Sequence, residues 1–269
     1  MLTTLVALDT DLASSIALRY ACQMAKIVKM VLQTIHVEDT DAERHSPGTG
    51  WVRRTWEKAL LKTGEEEIAQ LIQAERSSCP PLPATKMVLG DRDEEILREL
   101  DREPYDLFIE GMLYTYSSTN FYKKMRSRLY RNASCPVILV KNLLDLNKIV
   151  LVLDSTVDLS SAVSTFLKIF KDAAIDLDLL YFRFQNDDGT TRQEDTNSDA
   201  VLSHAGKLLA DGGRSPKSSR IIQGTPERLD ELFKDYGLAV SSMHHVKHKT
   251  SPLGDLLYRI PSPLLLCAP

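Results

Sequence analysis

Short apolar runs alternate with helix-period stripes along this chain. Residues 4–8 (Thr-Leu-Val-Ala-Leu) are apolar and stop at Asp9. From 12 to 28 the period lengthens, and Ala13, Ala17, Tyr20, Met24 and Val28 fall on one stripe, which predicts a helix. Residues 30–36 alternate loosely as a second strand. Strand, helix, strand is the crossover unit of a parallel sheet, nearly always right-handed. A polar loop with Pro47 leads to a predicted helix over 51–74, with Val52, Trp56, Ala59, Leu60, Ile68 and Leu71 turned inward. The proline-rich stretch from Cys79 to Pro83 cannot be helical. Residues 85–89 form strand three, and Asp91 opens a helix with Ile96, Leu97 and Leu100 on its buried side. Strand four covers 105–110, a basic helix 121–131 and strand five 136–140.

The pattern then begins again. Residues 149–153 are an apolar strand stopped by Asp154, as Asp9 stopped the first. A helix over 159–170 turns Ala162, Val163, Phe166 and Phe170 inward, followed by a strand at 177–182, a polar loop and a helix at 200–209. After a strand at 220–223, Pro226 sits at the favoured first turn of a helix carrying Leu229, Leu232 and Phe233. Strands four and five of this half fall at 238–241 and 263–267. Leu89-Gly90-Asp91 is answered by Gln223-Gly224-Thr225, and the run from Ser134 to Val140 by that from Pro261 to Cys267. A period of roughly 130 residues means duplicated domains, since solenoid repeats are far shorter. The expected units are 1–142 and 147–269.

Composition narrows the function classes. Of 269 residues, 43% are hydrophobic and 26% charged, enough for a real core, and the formal net charge of −4 argues against a nucleic-acid or anionic-membrane binder. No apolar run approaches the ~20 residues of a membrane span. Residues 1–9 lack the organisation of a secretory signal. Cys22, Cys79, Cys135 and Cys267 are scattered, which reads as reduced thiols in a cytoplasmic protein, with Cys22 and Cys135 as small core residues.

The element order, the strand ending in Asp9, Gly90-Asp91 before the third helix, the run from Asp106 to Gly111 and Cys135-Pro136-Val137 opening the last strand together resemble the universal stress protein family. The resemblance covers the chain twice. It implies α/β architecture: two tandem flavodoxin-like (adenine nucleotide alpha hydrolase-like) domains, each a five-stranded parallel sheet with helices on both faces. It also implies, in many members, ATP or AMP at the carboxyl ends of the strands, where helix N-termini point outward. Nucleotide-binding members carry two closely spaced glycines and then Gly-Ser or Gly-Thr, whose amides and hydroxyl hold phosphates. Here Gly111 matches the first glycine, Tyr114 stands at the second, and Lys123 and Lys124 occupy the Gly-Ser positions. In the second half Ser242 replaces the first glycine, and Gly254-Asp255 is a remnant out of register. Only Asp9 and Gly111 carry over as nucleotide-side positions, so the second domain is expected to bind none.

Lys123 and Lys124, with Arg126, Arg128 and Arg131, read either as a solvated helix face or as a phosphate site, two lysines at a helix start being unfavourable to the dipole. Tyr114, Tyr116, Phe121 and Tyr122 read as filler over the sheet end, or as a stacking surface. His244, His245 and His248 suggest a metal only weakly, with Lys247 and Lys249 beside them. Asp9 and Asp154 have no catalytic partners in a recognisable order and read as N-caps. The leading expectation is a non-enzymatic cytoplasmic stress-response or regulatory protein with degenerate nucleotide sites and no cofactor, acting on an unknown protein partner and able to homodimerise. The alternatives are an ATP/AMP-binding switch or slow ATPase using the first domain, with Asp9, Gly111, Lys123 and Lys124 at the phosphates, and a carrier of a small apolar ligand between the sheet ends and loops. The edge strands 136–140 and 263–267, both apolar and without edge-blunting charges, are expected to pair antiparallel.

Overall fold

In the computed structural model, residues 1–39, 50–113, 117–185, 197–242 and 251–267 are described. The first half runs β1 (Leu2–Ala7), α1 (Leu12–Ile27), β2 (Met30–Glu38), α2 (Trp51–Glu75), β3 (Lys86–Leu89), α3 (Arg92–Arg102), β4 (Leu107–Gly111), α4 (Ser118–Met125), α5 (Arg128–Asn132) and β5 (Val137–Val140). The second runs β6 (Lys148–Leu153), α6 (Leu159–Phe170), β7 (Asp176–Phe184), α7 (Ser198–Asp211), β8 (Ser218–Gly224), α8 (Pro226–Leu229) with a following 3-10 turn, β9 (Leu238–Ser242), α9 (Pro252–Arg259) and β10 (Leu264–Cys267).

The strands lie side by side as β3-β2-β1-β4-β5-β10-β9-β6-β7-β8. Each half therefore repeats one parallel order, 3-2-1-4-5, reversed about the centre. The centre is the expected seam: Leu264 opposes Leu139, Leu265 opposes Ile138 and Leu266 opposes Val137, antiparallel. Each of these strands supplies the other's missing ladder partner, and Ile138, Leu139, Leu264 and Leu265 are wholly buried. Gly90, immediately after β3, and Gly224, the last residue of β8, have φ of 149° and 157°, a conformation side chains resist, so the Gly90/Gly224 match read from the sequence is one of backbone shape.

The core crosses the seam on both faces. One cluster joins Ala17, Tyr20 and Met24 of α1 to Phe166 and Phe170 of α6; another joins Phe121, Tyr122 and Leu139 to Phe182, Phe233 and Leu257. Polar contacts follow the same path. Tyr20 donates its hydroxyl to the Gly237 carbonyl at 2.9 Å. The buried Lys141, just past β5, donates to the carbonyls of Leu257 and Ile260 at 2.7 and 2.6 Å, satisfying groups that the end of α9 leaves open.

Several expectations change. Helix starts are set by Asp11 and Asp158, whose carboxylates accept from Ser14 and Ser161 N–H, so Asp9 and Asp154 are not the caps. Helix α9 was not foreseen; Ser251 caps it and Pro252 opens it. The basic helix is two short ones, broken between α4 and α5. Of the inward positions expected on α2, only Ile68 is buried, while Val52 and Ala59 are exposed, because the first half of this helix has little to pack against. Leu232 is likewise exposed. The largest correction is that Cys22 and Cys79 form a disulfide, with Cα atoms 4.9 Å apart, while Cys135 and Cys267 are free and buried.

Leu265→Ala removes a wholly buried side chain from the seam and is expected to cost about 2–5 kcal/mol in urea unfolding. Because the core is shared, loss should remain one transition; separate melting of the two halves would contradict that. Reducing the disulfide, which links positions 57 apart in sequence, is expected to lower stability by about 4 kcal/mol on the chain-entropy model. Equal urea midpoints with and without reductant would show the bridge to be inert.

Candidate functional site

Strands β1 and β4 are neighbours, with Val6 opposite Ile109, so their carboxyl ends open onto one place in the first half. Asp9 is exposed there; its carboxylate accepts from Thr10 N–H at 2.9 Å, and its own N–H donates to Ser14 Oγ at 2.7 Å. Gly111 closes β4. A Cβ added to it would come within 2.1 Å of the Ala13 carbonyl oxygen, so the first turn of α1 lies directly on this glycine. Its lack of a side chain serves helix–strand contact here.

The group that dominates this end is Glu110, one residue earlier and wholly buried. Arg92, the first residue of α3, reaches its carboxylate at 2.8 Å, and Lys124 at 3.0 Å. The Tyr130 hydroxyl from α5 donates to its other oxygen, and the Lys124 ammonium lies 5.7 Å from the Tyr130 ring centre. Burial alone would raise the carboxyl pKa, but the charges of Lys124 and Arg92 and the hydrogen bonds from Tyr130 and Lys124 together outweigh it. The carboxyl titrates at about 2 instead of 4.5. Burial and the nearby Glu110 push the Tyr130 hydroxyl well above its ordinary range. Asp9 is near enough to Arg92 to stabilise its charge. The arrangement is a carboxylate clamped by two cations and a phenol, tying α3, α4 and α5 to the end of β4. Arg128 pairs with Glu94 beside it.

The sequence-derived residues land unevenly on this network. Lys124 belongs to it. Lys123 is exposed and lies with Lys124 in the last turn of α4, where positive charge suits the helix dipole; the expected placement at a helix start is corrected. Asp9 borders the network through Arg92, whereas Gly111, next to Glu110 in β4, packs against Ala13 of α1. Glu110, Arg92 and Tyr130 were missed, although a glutamate inside an otherwise apolar strand is a readable signal. Phe121 and Tyr122 are buried, and the Tyr122 hydroxyl donates to Asp255 at 2.7 Å across to α9. Tyr114, Tyr116, His244, His245 and His248 lie outside the described residues. Among the described residues, no group of three His, Cys, Asp or Glu could hold a metal.

In the second half the positions of Glu110 and Gly111 carry neutral serines. Ser241 stands at the strand position of Glu110 and donates to the Val152 carbonyl at 3.1 Å. Ser242, in place of Gly111, accepts from Asp158 N–H at 2.7 Å. Asp154 accepts from the N–H and hydroxyl of Thr156 at 2.8 and 2.7 Å.

Two doubly wound parallel units joined edge to edge define the tandem flavodoxin-like, adenine nucleotide alpha hydrolase-like class. Within it, the fold is that of the universal stress proteins. A universal stress protein from Archaeoglobus fulgidus DSM 4304 superposes with a TM-score of 0.67 at 16% identity, covering 99% of this chain and 96% of that one. A candidate universal stress protein from Pseudomonas aeruginosa UCBPP-PA14 gives 0.56 at 16% identity, covering 98% and 92%. A protein of unknown function from Pseudomonas aeruginosa PAO1 gives 0.56 at 17% identity, covering 99% and 92%. No protein-family model matches the chain, and no curated protein does. No helix among the described residues is long and apolar enough to cross a membrane.

Glu110→Gln leaves Arg92 and Lys124 without their counter-charge and is expected to cost about 3–5 kcal/mol. Because the folded carboxyl titrates below its ordinary value, its contribution is complete above pH 4.5 and is lost as pH falls from there towards 2. Urea titrations at stepped pH should show that slope in the wild type and a shallower one in the variant. Equal slopes would remove the role given to Glu110.

Proposed function

We propose that this chain is a non-enzymatic universal stress protein, with units 1–142 and 147–269, that has given up its nucleotide sites and acts in stress response or regulation by binding a protein partner. The observation that carries this reading is the buried Glu110 network. A phosphate entering beside β4 would meet a carboxylate whose neighbouring cations, Arg92 and Lys124, are already engaged. The contact between Gly111 and Ala13, and the serines of the second half, support the same reading. A partner surface finds support at the start of α2, where Trp51 is 77% exposed and Val52 39%. The partner is a protein; neither nucleic acid nor membrane suits a chain of net charge −4.

A cytoplasmic setting belongs to the proposal and places a demand on the Cys22–Cys79 bridge. In a reducing compartment it persists only if burial protects it, and Cys22 is wholly buried. An ATP- or AMP-binding switch in the first half would have to use the exposed Asp9 and Lys123 and release Lys124 from Glu110. The test is thermal unfolding with and without millimolar ATP-Mg. No shift is expected. A gain on the order of 2–3 kcal/mol, as for a ligand at about a hundredfold excess over its Kd, would overturn the proposal in favour of the switch.

A further inference from the structure

Helix α2 and the segment 79–85, which returns from it to β3, line a cavity of about 590 Å³ that is open to solvent on one side, within the usual range for small-ligand sites. It lies where the chain enters β3, at the opposite end of the sheet from the Glu110 network. Ile68, Ile72, Leu82 and Met87 give it an apolar lining. At one end stands Arg76, which makes no ion pair among the described residues. The carboxylate next to it in sequence, Glu75, is unavailable: it is buried and held by Arg19 at 2.7 Å and by the Ser15 hydroxyl at 2.6 Å. Glu65 lines the same cavity three turns earlier on α2, about 16 Å away at the helical rise. The cavity thus has a cationic end, an apolar middle and an acidic far end.

The walls are fixed before any ligand arrives. Cys79 lines the cavity and is bonded to Cys22 in α1. Thr85 and Thr34 hydroxyls pair at 2.8 Å, and Gln33 donates to the Ala84 carbonyl at 3.1 Å. Pro80, Pro81 and Pro83 restrict the segment further. A site already ordered spares a ligand much of the entropy cost of binding.

We propose that this cavity binds a small amphipathic monocarboxylate, with its head group on Arg76 and its apolar chain along Ile72, Ile68, Leu82 and Met87. A guanidinium with no ion pair among the described residues selects a carboxylate, and Glu65 at the far end disfavours a second anionic group. This site is independent of the nucleotide question.

The test is calorimetric titration of the oxidised protein with decanoate and with decanol, paired with methyl NMR of the wild type. Decanoate should bind saturably and shift the methyl signals of Ile68, Ile72 and Leu82, and decanol should bind at least about tenfold more weakly. Arg76→Gln should bring decanoate down to the affinity of decanol. Ala69→Trp, on the exposed lining of the cavity, should abolish both without changing Tm. The wild-type methyl map locates the ligand even if that variant does not fold. No saturable binding, equal affinities for acid and alcohol, or methyl shifts confined to other regions would each overturn the proposal.

Discussion

Antiparallel pairing of β5 with β10 is the contact on which the rest of the molecule depends. A parallel five-stranded sheet ends in a strand whose outer N–H and C=O groups need partners, and in this chain both such strands are short and wholly apolar. Val-Ile-Leu-Val meets Leu-Leu-Leu-Cys in the middle of the sheet, and three residue pairs complete both edges at once. Around that line the cores merge, Lys141 closes the end of α9 in the other half, and Tyr122 reaches Asp255. Separating the halves would expose apolar surface on both faces of the sheet and part Lys141 from the α9 carbonyls it satisfies. Neither half is complete alone.

Most of this architecture was legible because periodicity reports what each segment buries. The stripe through Ala13, Ala17, Tyr20 and Met24 is buried as expected, as are Ala162, Val163, Phe166 and Phe170. The seam was legible because neither strand carries a charge that would protect a free edge. Periodicity fails where there is no surface to cover: the outer turns of α2 have a helical apolar pattern, yet Val52 and Ala59 face solvent. Helix α9 hid behind a family motif sought in that segment, although Ser251-Pro252 is itself a helix-opening pair. The disulfide could not be read from cysteines 57 positions apart, since only the packing of α1 against the segment after α2 brings them together.

The candidate site was legible by position and not by chemistry. Family resemblance pointed to the carboxyl ends of β1 and β4 through Asp9 and Gly111, and Glu110 lies beside them. What the sequence could not tell is which charges meet. Arg92, Lys124 and Tyr130 come from three different helices, and their convergence on one carboxylate is a tertiary fact. Lys124 looked like a stand-in for phosphate-binding amides; it is the counter-ion of a buried acid.

Joining the two units in one polypeptide has a consequence for what each can become. In a symmetric pair of identical subunits every substitution appears twice, so a costly buried carboxylate or an added cross-link would have to be tolerated at both positions. A fused pair escapes that rule. Glu110 faces its cations while its counterpart is Ser241, the Cys22–Cys79 bridge lies in the first half, and α2 has 25 residues against 14 in α7. One copy is thereby free to diverge while the other remains a scaffold.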